Sequence, residues 1–413
     1  MPKNKLLLVC VIISLLTACA GKPKPVDFVN LVPKNPDLES SFAPEPVSGK
    51  TALEYFRDEK IASGWNLGNT LDSHSGGIGA ESVWHNPNVN QELMNGIKAA
   101  GFDIVRVPIT WMGNFGPEPD YRIMTTRIKR VGEVVEMAHN AGLKVIINLH
   151  HDGAVESYGK ELGWLSLVKA SRNQEEYNRI TLQFARVWKQ IAVYFKNYGD
   201  WLMFEPFNEL HDGGWGSGGY SINQFITINK WNQLFTDIVR STGGNNETRY
   251  LLIPAYCNDR QQALSASFAM PKDTSADRLM VSFHYYDPHE FGIKGSRYVW
   301  GSAFDKQKVE DDFAPFAEKY IEKNIPVIIG ECGAVIQLYP DDQAKEKQAY
   351  QSRLDYVPFI FATAKKYGLV PIYWDNGSIR GAGEKSGLFD RRNGQPNSPE
   401  SGALIQAMIK AVK

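Results

Sequence analysis

Little in this chain invites a metal, a nucleotide or a nucleic acid. It has only four cysteines in 413 residues, and no HExxH or clustered Cys/His spacing that would hold zinc. No GxGxxG follows the first apolar run, which argues against a dinucleotide fold. Net charge is −1 and no basic stripe is present, so nucleic acid is excluded as a partner. No apolar stretch is long enough to span a membrane comfortably; the longest, LLLVCVIISLL, lies at the extreme N-terminus. No cofactor is implied. What is abundant is aromatic: 10 Trp and 18 Tyr, enough to pack a core and still present flat faces to a ligand.

Lys3 and Lys5 precede that apolar stretch, which ends in LTAC. This resembles the lipobox of bacterial lipoprotein precursors, and it implies cleavage before Cys19 and acylation of that residue. Acyl chains contribute about 0.8 kcal/mol per buried CH2, so several chains anchor stably. Residues 1–19 are therefore expected to be a lipoprotein signal peptide and the protein to be exported, on the outer membrane or cell surface. Prolines at 23, 25, 33, 36, 44 and 46 forbid regular structure, so residues 20–50 are expected to form a tether. Cys257 and Cys332 remain; they either pair or sit as two buried thiols.

From about residue 51 to 413 one unit recurs: a helical pattern closed by Gly or Asn, then a short apolar run, then polar residues. ELMNGIKAAGFDIVRVPITW, EMAHNAGLKVIINLHHDG, KYIEKNIPVIIGECG and ATAKKYGLVPIYWDNG all follow it. Glycine takes the left-handed position after a helix cheaply, and continuous Val/Ile/Leu runs mark strands buried on both faces. Strands are expected near 61–67, 102–108, 144–149, 202–208, 250–255, 279–285, 326–331 and 369–374. Eight βα units imply an α/β fold, a (β/α)8 TIM barrel, with a doubly wound open sheet as the alternative.

In such a barrel the chemistry sits at the C-terminal strand ends. Those ends carry Arg106, His150–His151, Asn208–Glu209, His284–Tyr285–Tyr286, Glu331 and Trp374–Asp375–Asn376. Two of these are carboxylates, Glu209 and Glu331. A pair of carboxylates flanking a scissile bond is what glycoside hydrolysis requires, one protonated and one ionised. His150–His151 with Asp152 could in principle ligate a metal, but neighbours in a strand point opposite ways.

The stretch FEPFNELHDGG, residues 204–214, holds a second acid, Glu205. On a regular strand Glu205 and Glu209 would share a face about 13 Å apart. Glu205 would then be a buried acid, too deep to meet a ligand and in need of a partner. Arg106 is a candidate partner.

From about 55 to 410 the chain resembles glycoside hydrolase family 5. GWNLGNTLD, VRVPITW, NLHHDG, FNE, HYY, VIIGE and YWDNG occur in that family's order. The first and last look most like its endoglucanase branch, which includes xyloglucan-active enzymes. The resemblance implies a retaining endo-β-1,4-glucanase with Glu209 as acid/base and Glu331 as nucleophile. It implies sugar contacts from Asn69, Asn208, His150, His151, His284 and Tyr286, stacking by Trp374, and Arg106 keeping Glu331 ionised. The Tyr286 hydroxyl is expected on Glu331. Leu210 departs from the proline that many relatives have after the acid/base, which puts the following glycine-rich loop in doubt.

Trp215, Trp111, Trp164 and Trp300 are either platforms or packing residues, while Trp188 and Trp231 read as core. A β-glucan substrate and a monomeric enzyme anchored by its N-terminus are expected. Xyloglucan, mixed-linkage glucan, mannan and xylan are alternative substrates. A non-catalytic glycan-binding lipoprotein is the alternative of another class.

Overall fold

Short apolar segments of three to nine residues form the frame: β1 Gly64–Leu67, β2 Ile104–Val107, β3 Lys144–Ile147, β4 Leu202–Phe204, β5 Leu251–Asp259, β6 Leu279–Tyr285, β7 Val327–Cys332 and β8 Leu369–Asp375. In the computed structural model, which describes residues 27–30, 38, 42–155, 162–215 and 221–413, these strands close into one parallel barrel. Closure is made by β1, whose Gly64 pairs with Ile372 on β8 and Ile104 on β2. The open-sheet alternative is thereby excluded.

The outer ring comprises α1 Gln91–Ala100, α2 Thr125–Asn140, α3 Gln174–Tyr194, α4 Ile222–Ser241, α5 Arg260–Leu264, α6 Ala303–Lys319, α7 Gln343–Lys366 and α8 Pro399–Val412. Local chemistry sets their ends. The Asn90 side chain accepts from the Leu93 N–H at the start of α1, and Gly101 closes it at φ 107°. Asn324, before β7, does the same work at φ 62°.

Two apolar layers result. Between strands and helices lies the larger core, in which Trp188 and Trp231 are fully buried. Inside the barrel, Ile104, Ile146, Met203, Leu252, Met280 and Ile328 fill the lower half. Tyr55 and Phe56 of the helix Ala52–Asp58 close that half from below. The apolar floor leaves the upper interior for polar groups.

Two expectations need correction. The fourth strand ends at Phe204 rather than 208. Pro206 has no N–H to give a ladder. The backbone bonds from Glu205 to Ile147 and from Asn208 to Leu149 set three steps on one chain against two on the other, a bulge. The simple alternation that put Glu205 and Glu209 on one strand face is therefore broken.

The proline-rich segment is also not a free spacer up to residue 50. Phe42 stacks on Tyr198 with centroids 4.1 Å apart. The Glu45 carboxylate accepts from the Gly199 N–H at 2.8 Å and from the Trp201 indole, and Ser48 Oγ donates to Asp200 at 2.6 Å. Residues 42–50 thus lie on the N-terminal face of the barrel. Cys257 and Cys332 are free buried thiols.

Candidate active site

Arg106 on β2 organises the upper interior. Its side chain has no exposed surface, so all its contacts are with protein groups. Nε donates to Glu205 Oε2 at 2.9 Å, Nη1 to Glu331 Oε1 at 2.8 Å and to Asn66 Oδ1 at 3.1 Å, and Nη2 to Asn208 Oδ1 at 2.8 Å. Only a guanidinium carries enough fixed donors for this set. Glu205 therefore has its partner, and it lies one guanidinium away from Glu331. Asn148 Nδ2 at 3.0 Å and Ser282 Oγ at 2.9 Å complete its shell.

Glu331, on β7, receives the Tyr286 hydroxyl on its other oxygen, Oε2, at 3.0 Å. Burial raises its pKa above the usual glutamate value, with the Arg106 guanidinium opposing. Burial also keeps the Tyr286 hydroxyl protonated, so it stays a donor.

Glu209 lies past the bulge, with its Oε1 2.5 Å from His284 Nδ1. Burial pushes its pKa up to about 7, with Arg106 and His289 opposing. His284 is pushed down to about 4 by burial, and so is neutral near neutral pH. One oxygen of Glu209 and one of Glu331 lie within 4.8 Å of each other. The two carboxyls thus share one cleft under different influences, the condition for opposite protonation states.

The remaining predicted residues stand at or just past the C-terminal ends of β1, β3 and β8. Trp374 lies parallel to His150, centroids 5.8 Å apart and planes 9° apart. Burial holds His150 neutral. His151 faces Trp84 and His74, ring centroids at 5.3 and 5.4 Å, and burial takes its pKa to about 3. Asn69 sits in the turn after β1 at φ 55°, its N–H donating to Asp72 at 3.0 Å.

The acid beside the His pair is Asp72, not Asp152. Asp72, His150 and His151 offer one ligand atom each within 4.8 Å, as do Glu209, His284 and Glu331. Asp152 is turned to the Trp111 N–H and the Trp164 indole, at 3.0 and 2.6 Å.

Of the tryptophans left open, Trp111 and Trp300 are buried, Trp164 is half-buried, and Trp215 is 59% exposed. Sequence reasoning missed Asn66, Asn148, Asn258 and Trp84. Asn66 and Asn148 carried a readable signal: an amide inside an apolar run is as anomalous as the acid Glu205.

A parallel eight-stranded barrel with two adjacent, differently tuned carboxyls at the ends of its fourth and seventh strands has the architecture of a barrel glycoside hydrolase. Comparison with known proteins makes this specific. The profile described as Cellulase (glycosyl hydrolase family 5) matches residues 68–379. Endoglucanase A of Paenibacillus barcinonensis is 33% identical over 86% of this chain and 89% of its own length. A xyloglucan-specific endo-β-1,4-glucanase of Bacteroides ovatus is 34% identical over 90% of this chain and 73% of its own. The structure of a broad specificity endoglucanase from Bacteroides salanitronis superposes with a TM-score of 0.78 at 36% identity, covering 91% of this chain and 98% of that one. The chain belongs to glycosyl hydrolase family 5 and is an endoglucanase.

Proposed function

We propose that Glu331 and Glu209 carry out a two-step, configuration-retaining hydrolysis of internal β-1,4-glucosidic bonds. The observation that carries this reading is that the two carboxyls bring one oxygen each to within 4.8 Å of the other. Retaining enzymes hold them about 5–5.5 Å apart, whereas inverting ones leave about 6.5–9.5 Å for a water. In the first step Glu331 attacks the anomeric carbon, the bond to the leaving oxygen breaks, and that oxygen takes the Glu209 proton. In the second step water gives a proton to Glu209 and attacks the same carbon, releasing Glu331.

The contacts support the other assignments. Arg106 and Tyr286 hold the Glu331 carboxylate in place. Asn208, its oxygen engaged by Arg106, offers its amide N–H to the sugar 2-hydroxyl. Trp374 and His150 form the floor under the reacting ring, and His151 and Asn69 lie further along the cleft. Proton NMR of the first product from a cello-oligosaccharide tests the reading. The β-anomer forming first supports it; the α-anomer forming first overturns it.

A second substrate reading is xyloglucan, favoured by the Bacteroides ovatus relative. Reducing-sugar release across cellulose derivatives, xyloglucan, mixed-linkage glucan, mannan and xylan separates the two. We also read the chain as an exported monomeric lipoprotein. Cys19 and residues 1–26 lie outside the described residues, and among those described no helix is long and apolar enough to cross a membrane. Palmitate labelling that is lost in Cys19→Ala tests the anchor.

A further inference from the structure

Asn258, at the end of β5, has no part in the roles assigned above. Its backbone is costly. Cys257 and Asn258 hold φ values of 56° and 47° in succession, a region that costs a non-glycine residue about 1–2 kcal/mol and that Asn bears best. The strain accompanies a break in the ladder. Pro254 pairs with Ser282, and the next pair is Asp259 with His284, so five steps along β5 answer two along β6. This bulge turns Asn258 inward, where it is fully buried.

There, Asn258 Nδ2 lies 3.3 Å from Nε2 of His284, whose Nδ1 faces Glu209 at 2.5 Å. Asn258 Oδ1 has no partner among the described residues. A buried unpaired amide oxygen costs about 1–3 kcal/mol. Strain and an orphaned acceptor together, one residue from the acid/base, point to use rather than packing.

We infer that Asn258 is a positioning residue that holds a neutral His284 in one tautomer, its proton on Nδ1 toward Glu209, while Glu209 gains and loses its own proton. This rests on reading Glu209 as the acid/base. With Glu209 ionised, the Asn258 N–H donates to Nε2, so the imidazole proton sits on Nδ1 and donates to the carboxylate. With Glu209 protonated, the same Nδ1–H donates to the carbonyl oxygen of the carboxyl, which leaves the acid O–H free for the leaving oxygen. The imidazole carries one proton in both states. The proton that Glu209 gains or loses is exchanged with water or the leaving oxygen. An amide N–H on Nε2 leaves that nitrogen as the acceptor and so fixes which nitrogen of the ring carries the proton.

The charged and titratable groups around this contact come from every neighbouring strand end. Arg106 comes from β2, His150 follows β3, Glu205 follows β4, and Glu331 stands on β7. Cys257 precedes Asn258 on β5, and Tyr286, His289 and Glu384 border Glu209 from the rim. None of these is changed by substituting Asn258.

The test is the pH dependence of kcat/KM on a soluble β-glucan for Asn258→Asp and Asn258→Gly. Both residues tolerate the left-handed backbone. Aspartate accepts from Nε2 in every state and favours the doubly protonated imidazole. That cation holds Glu209 ionised, so the basic limb moves down by roughly one pH unit. Glycine removes the amide donor without adding charge, and kcat falls about tenfold while KM stays within twofold. A basic limb for Asn258→Asp that superimposes on wild type overturns the inference, with or without a lowered melting temperature. If Asn258→Asp does not fold, an unchanged kcat in Asn258→Gly overturns it equally. Glu209→Gln separates the two readings. Survival of the basic limb in that variant refutes the acid/base assignment itself, whereas its loss leaves Asn258 to be judged on its own variants.

Discussion

Arg106 Nη2 and Glu205 Oε2 stand 2.8 Å apart, and neither side chain has any exposure to solvent. A buried ion pair of this kind stabilises little in itself, but removing one partner leaves an uncompensated charge. Here the stranded charges would be two, because the same guanidinium holds Glu331. Arg106→Ala is expected to lower unfolding stability by about 3–5 kcal/mol in urea titrations and to abolish activity. Adding Glu205→Gln to Arg106→Ala should restore part of the stability and none of the activity.

The activity should be bell-shaped in pH. The nucleophile must be ionised, and burial puts Glu331 above the ordinary glutamate value. The acid must be protonated, and Glu209 sits at about 7. Rate is therefore lost on the acid side as Glu331 gains a proton, at a pH above 4.5, and on the alkaline side as Glu209 loses one near 7. Replacing Glu209 by glutamine should remove the alkaline limb from the residual rate.

Glu209 acts on the leaving group, so its loss should depend on what leaves. Glu209→Ala is expected to cut kcat on a β-glucan by about a hundred- to ten-thousand-fold. On a dinitrophenyl cellobioside, whose leaving group needs no proton, the first step should be nearly unaffected, visible as a burst of phenolate. Added azide should speed the second step.

Trp215 is the exposed tryptophan of the rim, at 59%, on the loop that follows Glu209. Its indole packs only partly, against His211 at 4.1 Å. Trp215→Ala should leave stability within about 0.5 kcal/mol of wild type. It should raise KM for long oligosaccharides more than for cellobiosides, since a stacking face out on the rim acts only on substrates that reach it.

Much of the barrel and of its site is legible in the sequence. The strands announce themselves because both-face burial forces continuous apolar runs, and glycine or asparagine marks the helix ends that precede them. Glu209 and Glu331 stand out because a carboxylate at the end of such a run has no packing reason to be there. The partner of Glu205 is not readable with certainty, since it depends on which groups the closed barrel turns toward one another. Two bulges, at Pro206 and at Cys257–Asn258, each change the direction in which the next side chains face; Pro206 marks the break in its strand but not the new direction, and Cys257–Asn258 marks neither. The docking of Phe42, Glu45 and Ser48 is hidden for a related reason: their partners, residues 198–201, lie far along the chain. Prolines there mark the absence of a regular element, not the absence of contact.

The most direct measurement is capture of the covalent intermediate. A 2-deoxy-2-fluoro-cellobioside with a dinitrophenyl leaving group slows both steps and leaves the second as the bottleneck. Peptide mapping by mass spectrometry should then find the fluoro-sugar ester on Glu331 and on no other residue. An ester on Glu209, or no adduct from an enzyme that still turns the reagent over, would contradict the account.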